Sequence, residues 1–300
     1  MLSGLKILIT GAHGQLGSEF CKVLKSGGCE LGSLSSKLQG CEVYGFGSTE
    51  LNICNFSEVL KVVEQIKPFC VINCAAFTKV DLCETEQIDA FKVNALGARN
   101  LAMACEVVGA KLVHISTDYV FDGNSQEPYD ESSLINPQNI YGKSKALGEF
   151  YVRSFCNKWF IVRTSWLYGL VGKNFVKTIL KLAKSQGELK VVNDQFGSPT
   201  NACDLVFSVC SLIGTNEFGI YHGSGEGSCS WHEFAKAIVN CFKLEAVVKP
   251  CSTDDFKLPA KRPKFSVMRN LMFELTVGNH FRPWKQALES YCSQINLNSI

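Results

Sequence analysis

One stretch constrains this chain more than any other: Lys6-Ile-Leu-Ile-Thr-Gly-Ala-His-Gly-Gln-Leu-Gly-Ser-Glu-Phe20. A short apolar run leads into Gly11, Gly14 and Gly17, and a helical pattern opens at the second glycine. Glycines there let the backbone turn sharply and approach a pyrophosphate, while the helix N-terminus offers free N–H groups and a partial positive charge. The spacing Gly-x-x-Gly-x-x-Gly is one residue longer at its start than the commoner Gly-x-Gly-x-x-Gly. With a strand before it and a helix after it, the turn reads as dinucleotide-binding. Gly11, His13, Gly14, Gln15, Leu16 and Gly17 are its candidate contacts. A carboxylate ending the second strand would favour NAD(H). Val43-Tyr-Gly-Phe-Gly-Ser48 offers none, nor an arginine for a 2′-phosphate, and the reading leans to NADP(H) with NAD(H) open.

The rest of the chain supports such a turn. Leu5–Thr10, Cys70–Ala76, Leu112–Thr117 and Phe160–Thr164 are nearly unbroken apolar runs of strand length, as strands buried on both faces require. Helical patterns lie between them: Gly14–Lys25, Ser57–Ile66, Gln87–Val108 and Tyr141–Phe155. Asn55 with Glu58, and Ser230 with Glu233, are helix-start signals. This alternation predicts an α/β fold with a doubly wound, Rossmann-like parallel sheet. Beyond about residue 165 the pattern loosens into an amphipathic helix at Asn174–Lys184, a strand at Leu189–Val192, a helix at Ala202–Ile213 and a strand at Ile220–His222. Lys249–Phe265, with Pro250, Pro259 and Pro263, reads as loop. The expected division is a dinucleotide-binding part, residues 1–165 and 200–222, and a smaller, partly interleaved substrate lobe, residues 166–199 and 223–300.

Two further segments carry chemistry. Tyr141 and Lys145 stand four apart, on one face of a helix. A tyrosine of pKa ~10 becomes a useful acid–base group when a cation favours its phenolate, and Lys145 would supply that cation. With eight tyrosines in the chain, such a pair also arises by accident. Ser116, Thr117 and Asp118 end a buried strand, where ligands bind in doubly wound sheets. They would meet a substrate, or form a capped turn that satisfies its own backbone.

Taken in order, these segments resemble the extended short-chain dehydrogenase/reductase superfamily, and within it the dTDP-4-dehydrorhamnose reductase family. The finer likeness rests on Ser116-Thr-Asp-Tyr-Val-Phe-Asp-Gly123, Pro128-Tyr129 with Glu131, Pro137 and Tyr141-Gly-Lys-Ser-Lys145. It extends to Asn73-Cys-Ala-Ala-Phe-Thr-Lys-Val-Asp81, Arg163-Thr-Ser-Trp166, Asn193-Asp-Gln-Phe-Gly-Ser-Pro-Thr200 and Arg262-Pro-x-x-Ser266. The resemblance implies hydride transfer from NAD(P)H to C4 of dTDP-4-dehydro-L-rhamnose, with Thr117, Tyr141 and Lys145 as the catalytic trio. It implies Ala75, Ala76 and Thr78 along the nicotinamide ribose, and Asn52 and Ile53 near the adenosine. Leu51-Asn-Ile-Cys-Asn55 departs there from the family's aspartates. Thr78, Val80, Thr117, Asp118, Trp166, Asn174 and Arg262 would face the sugar nucleotide. Arg262 would clamp the diphosphate, the neighbouring lysines of 257–264 forming a solvated face. Trp166 would stack on the sugar or base, or simply pack.

Two other readings share the scaffold: another 4-keto sugar-nucleotide reductase or epimerase, and a non-catalytic NADP-binding regulatory subunit like that of methionine adenosyltransferase. Trp166 and the Asn193–Thr200 motif favour the reductase. The balance of 30 basic against 28 acidic residues speaks against a nucleic-acid partner. No window approaches a membrane span, and no metal is assigned. Fifteen dispersed cysteines without a CxxC read as small core fillers in a reducing, cytoplasmic compartment. A homodimer is expected from the family alone.

Overall fold

The computed structural model describes residues 4–295. Six strands, β1 (Lys6–Thr10), β2 (Glu42–Phe46), β3 (Cys70–Asn73), β4 (Lys111–Thr117), β5 (Trp159–Thr164) and β6 (Gly219–His222), form one sheet. They lie in the order β6-β5-β4-β3-β1-β2, and every pairing is parallel. From β1 the chain winds outward to β2, then returns past β1 and continues the other way. The strand order reverses at β1 and β3, and a crevice opens at their carboxyl ends.

The apolar runs alternate in facing because successive side chains of a strand point to opposite sides. Ile7, Ile9, Cys70, Ile72, Val113, Phe160 and Val162 enter one core, covered by helices α1 (Gln15–Ser26) and α6 (Ala202–Ile213). Leu8, Val71, Leu112 and Ile161 enter the other, covered by α2 (Phe56–Ile66), α3 (Ala98–Val108) and α4 (Ile140–Phe155). A third core joins α5 (Phe175–Ser185), α7 (Trp231–Cys241) and α8 (Trp284–Gln294) through Val176, Leu180, Phe234, Ile238, Trp284 and Leu288. The chain leaves the sheet after β5 to begin this lobe, returns for α6 and β6, and leaves again. Among the described residues no helix is long and apolar enough to cross a membrane. All fifteen cysteines are free thiols, eight of them buried.

Two expectations need correcting. Gln87–Val108 is not one regular helix: a π-helical turn, Lys92–Gly97, interrupts it. There the buried Asn94 amide accepts from Phe77 N at 2.8 Å and donates to Phe77 O and Ser144 Oγ, drawing the chain after β3 against α4. The presumed loop Lys249–Phe265 begins in a strand, Val247–Cys251, paired in parallel with Glu188–Val192. Pro250 lacks a donor, which a two-stranded ribbon tolerates because each strand has an open edge.

α4 is fixed to the sheet by a buried ion pair. Arg163 of β5 donates from Nη2 to Glu149 Oε2 at 2.8 Å and from Nε to Oε1 at 3.0 Å, and Ser116 Oγ donates to the same carboxylate. Both charged side chains are only 3% exposed, so water cannot replace either partner. Arg163→Met should therefore destabilise the fold by about 3–5 kcal/mol, by stranding Glu149. The double variant Arg163→Met/Glu149→Leu should recover most of that loss in urea unfolding.

Candidate active site

The cavity at the carboxyl ends of β1, β3, β4 and β5 holds about 530 Å³. One wall is the glycine turn. Gly11 is left-handed at φ +66°, and a Cβ there would stand 2.8 Å from Ala75 N, so only glycine lets β1 turn against the chain leaving β3. At Gly17 a Cβ would overlap the Gly11 carbonyl, so α1 closes on the turn only with glycine there. Gly14 caps α1 without a side chain, and the first turn of α1 carries no acidic residue. Its positive end and free N–H groups therefore remain available to an anion.

The opposite wall is the start of α4. Asn139 caps it by accepting from Gly142 N at 2.8 Å, and Glu84 Oε1 accepts from Ile140 N at 2.9 Å. Gly142 lies so close to the Tyr119 carbonyl that a Cβ would overlap it. Tyr141 is thereby held beside the end of β4, lining the same cavity as Thr117. Thr117 Oγ1 donates to Asp118 Oδ1 at 2.9 Å and accepts from Tyr119 N at 3.2 Å. Burial raises the Asp118 carboxyl to about 6, and it raises the Tyr141 phenol well above its ordinary value. One helical turn below, the Lys145 ammonium is buried and donates to Ile115 O at 2.5 Å. Desolvation lowers it to about 8 against the pull of Glu149. A proton-bearing phenol, a hydroxyl and an easily titrated amine thus converge on one spot, a set suited to acid–base work on a carbonyl oxygen.

The remaining wall is aromatic. Trp166 stacks on Trp231 with centroids 3.5 Å apart and planes within 7°, and Trp231 meets Phe175 at 4.4 Å. Trp166 has φ +48°, a strain that a bulky residue bears only where its surroundings enforce it. A second hollow of about 490 Å³ adjoins, sharing Tyr119 and Trp231 and bounded by Phe175, Phe256, Leu258 and Arg262.

Known proteins with this arrangement share its lineage. The model of the RmlD substrate binding domain family matches residues 5–297. A dTDP-4-dehydrorhamnose reductase structure from Clostridium acetobutylicum superposes with a TM-score of 0.91 at 47% identity, covering 96% of this chain and 99% of that one. The chain belongs to the dTDP-4-dehydrorhamnose reductase family. The family member from Bacillus anthracis, solved in complex with NADP, is 45% identical with a TM-score of 0.91, over 97% of this chain and all of that one. Spore coat polysaccharide biosynthesis protein SpsK of Bacillus subtilis is 42% identical over 96% of this chain and 97% of its own.

Within this family member, the residues expected from sequence fall into three groups. Gly14, Gln15, Leu16, Ala76, Thr78, Val80, Thr117, Asp118, Tyr141, Lys145 and Trp166 line the cavity. Gly11, Gly17 and Ala75 shape it from behind. Ile53 is buried in the core against Gly97, and Asn52 is exposed in a turn, accepting from Cys54 N. Asn174 does not face the cavity. Its amide caps α5 through Lys177 N and donates to Gly169 O and Gln15 Oε1. Arg262 is engaged in a two-pronged pair with Asp81, both bonds at 2.7 Å.

Sequence reasoning missed several groups. Trp231 follows the Ser230 capping box, which marked a helix but not what its first residue touches. Thr164 Oγ1, buried on the cavity wall with no hydrogen-bond partner, gave no signal beyond its place at a strand end. Glu50 lies beyond the Val43–Ser48 window, yet its carboxylate folds back to accept from Gly47 N at 2.6 Å, just past the end of β2, 3.4 Å from His13 Nε2. The stacked indoles are directly testable: circular dichroism should show an exciton couplet that Trp231→Phe removes while the rest of the far-ultraviolet spectrum persists.

Proposed function

We propose that this protein reduces the 4-keto group of dTDP-4-dehydro-L-rhamnose to the alcohol, giving dTDP-L-rhamnose, with NADPH as the reductant. The observation that carries the reading is the convergence of Tyr141, Thr117 and Lys145 in a cavity whose far wall is an anion-ready glycine turn. The NADP complex of the 45% identical relative supports the cofactor. Gly11, Gly14, Gln15, Leu16 and Gly17 would hold its pyrophosphate, and Ala76, Thr78, Tyr141 and Lys145 its nicotinamide end. When bound, it supplies hydride to the carbonyl carbon.

The chain's own residues manage the oxygen. Thr117 donates its one hydroxyl hydrogen to Asp118 in this structure, and would turn that hydrogen from Asp118 to the keto oxygen when the substrate binds. Tyr141 keeps its proton at neutral pH because burial opposes its ionisation, and gives that proton to the oxygen as charge develops there. Lys145, one turn away, steadies the phenolate left behind. Trp166, Thr78 and Val80 flank the sugar. The nucleotide would extend into the adjoining hollow, where Arg262 meets the diphosphate alongside Asp81. Residues 166–199 and 223–300 would thus act as the sugar-nucleotide lobe.

Purified protein should oxidise NADPH when given dTDP-4-dehydro-L-rhamnose. Tyr141→Phe should lower kcat by about 10²–10⁴-fold while cofactor affinity, read by fluorescence titration, stays within twofold. Tight NADP binding without turnover of any 4-keto sugar nucleotide would favour a regulatory role instead. Only the Lys145 cation can stabilise the phenolate, and the cation is lost as pH rises through its folded value. Activity should therefore decline above about pH 8. Glu50 presents a carboxylate just past the end of β2, where it would repel a 2′-phosphate, and NADH therefore stands beside NADPH as a second reductant. Glu50→Gln should accordingly lower KM for NADPH several-fold relative to KM for NADH, with kcat unchanged.

A further inference from the structure

We propose that His114 is a positioning residue for Lys145: a neutral imidazole whose Nε2 proton points at the lysine and makes its ammonium easier to deprotonate. The proposal rests on the reductase reading of the site.

His114 lies on β4, is 1% exposed, and does not line the cavity. Its state is set by a chain of hydrogen bonds beginning at the backbone. Ala75 N donates to Asn73 Oδ1 at 3.1 Å, and Thr10 Oγ1 donates to the same oxygen at 2.8 Å. A backbone N–H can only donate, so this end of the Asn73 amide is its oxygen. The amide nitrogen then faces the other way, 3.0 Å from His114 Nδ1. That nitrogen also can only donate, so Nδ1 is bare and accepting, and a neutral ring with a bare Nδ1 carries its proton on Nε2. Burial and the Lys145 charge hold His114 far below its ordinary pKa, which keeps the ring neutral.

Nε2 lies 3.5 Å from Lys145 Nζ. Donor therefore faces donor, and the ammonium gains no acceptor on this side beyond Ile115 O. Hydrogen bonding that suits the neutral amine lowers a lysine pKa. The other titratable groups around Lys145 and Tyr141 are accounted for. Glu149 of α4 is held by Arg163 of β5, and Cys74 follows β3. Asp118 stands across Thr117, Cys83 faces Tyr141 from the short helix Val80–Thr85, and Tyr119, kept protonated by burial, meets the Tyr141 ring edge-on at 5.6 Å. Burial keeps Cys74 a neutral thiol, so Glu149 is the anion acting on Lys145, and the imidazole opposes it by presenting an N–H toward the ammonium. Gly148 permits the arrangement: a Cβ there would stand 3.4 Å from His114 Nε2 and would overlap the Asn94 carbonyl.

The test begins without any substitution. In the full-length protein labelled with ¹⁵N-histidine, long-range nitrogen–proton correlation should show one buried imidazole of the Nε2–H form at neutral pH, assigned by its disappearance in His114→Gln. An Nδ1–H tautomer or an imidazolium at that position overturns the proposal, whatever the enzyme turns over. The second readout is the pH profile. His114→Gln presents an amide oxygen to the ammonium, and the alkaline limb of kcat should move up by about one pH unit. A uniform fall in kcat with the limb unmoved would mean that His114 only fills space, and would also overturn it. Absence of turnover with every 4-keto sugar nucleotide sinks the reductase reading while leaving the tautomer measurement decisive for His114.

Discussion

The ammonium of Lys145 is a charge taken out of water, and much of the architecture around the cavity answers to it. An isolated buried cation costs several kcal/mol unless neighbours compensate. Here the compensation is one backbone carbonyl at the end of β4 and the more distant field of Glu149. Glu149 in turn is neutralised by Arg163, so the lysine receives enough stabilisation to remain charged near neutrality and too little to hold its proton tightly. α4 must then sit hard against the sheet, which explains the glycines at 142 and 148 and the π-helical turn opposite them.

The sheet and the glycine turn were legible because their signals are local. An apolar run of strand length, a glycine that must be left-handed and a helix start all lie within fifteen residues of one another. The pair Tyr141–Lys145 was legible as spacing, and the family likeness supplied its meaning. What stayed hidden depends on contacts between residues far apart in sequence. Asn174 looked like a sugar ligand, but its amide is consumed by a helix cap and by Gln15, 159 residues away. The likeness made Arg262 a diphosphate clamp, and nothing in its surroundings in sequence told of Asp81, 181 residues earlier, which pairs with it. Glu50 escaped because a loop folds its carboxylate back past the end of its strand. Side-chain partnerships of this kind carry no periodicity.

The aromatic wall shows how a lobe with few regular features still acquires rigidity. The Trp166–Trp231 stack ties the residues following β5 to the first residue of α7, and Phe175 extends the contact to α5. Three segments from separate parts of the chain thus meet on one indole. The left-handed backbone at Trp166 is sustained by that stack and by Gly197, whose missing side chain leaves room for the indole edge.

Gln15 has a consequence of a different kind. Its amide donates to Leu167 O and accepts from Asn174, so a residue of the glycine turn is also a mechanical link to the segments that follow β5. Exchanging Asn174 takes away the donor to Gln15 Oε1, whereas Asn174 keeps Gly169 O and Lys177 N when Gln15 is exchanged. Substitutions at the two positions will be strongly non-additive. The shape of the turn is thereby coupled to a helix cap 159 residues away.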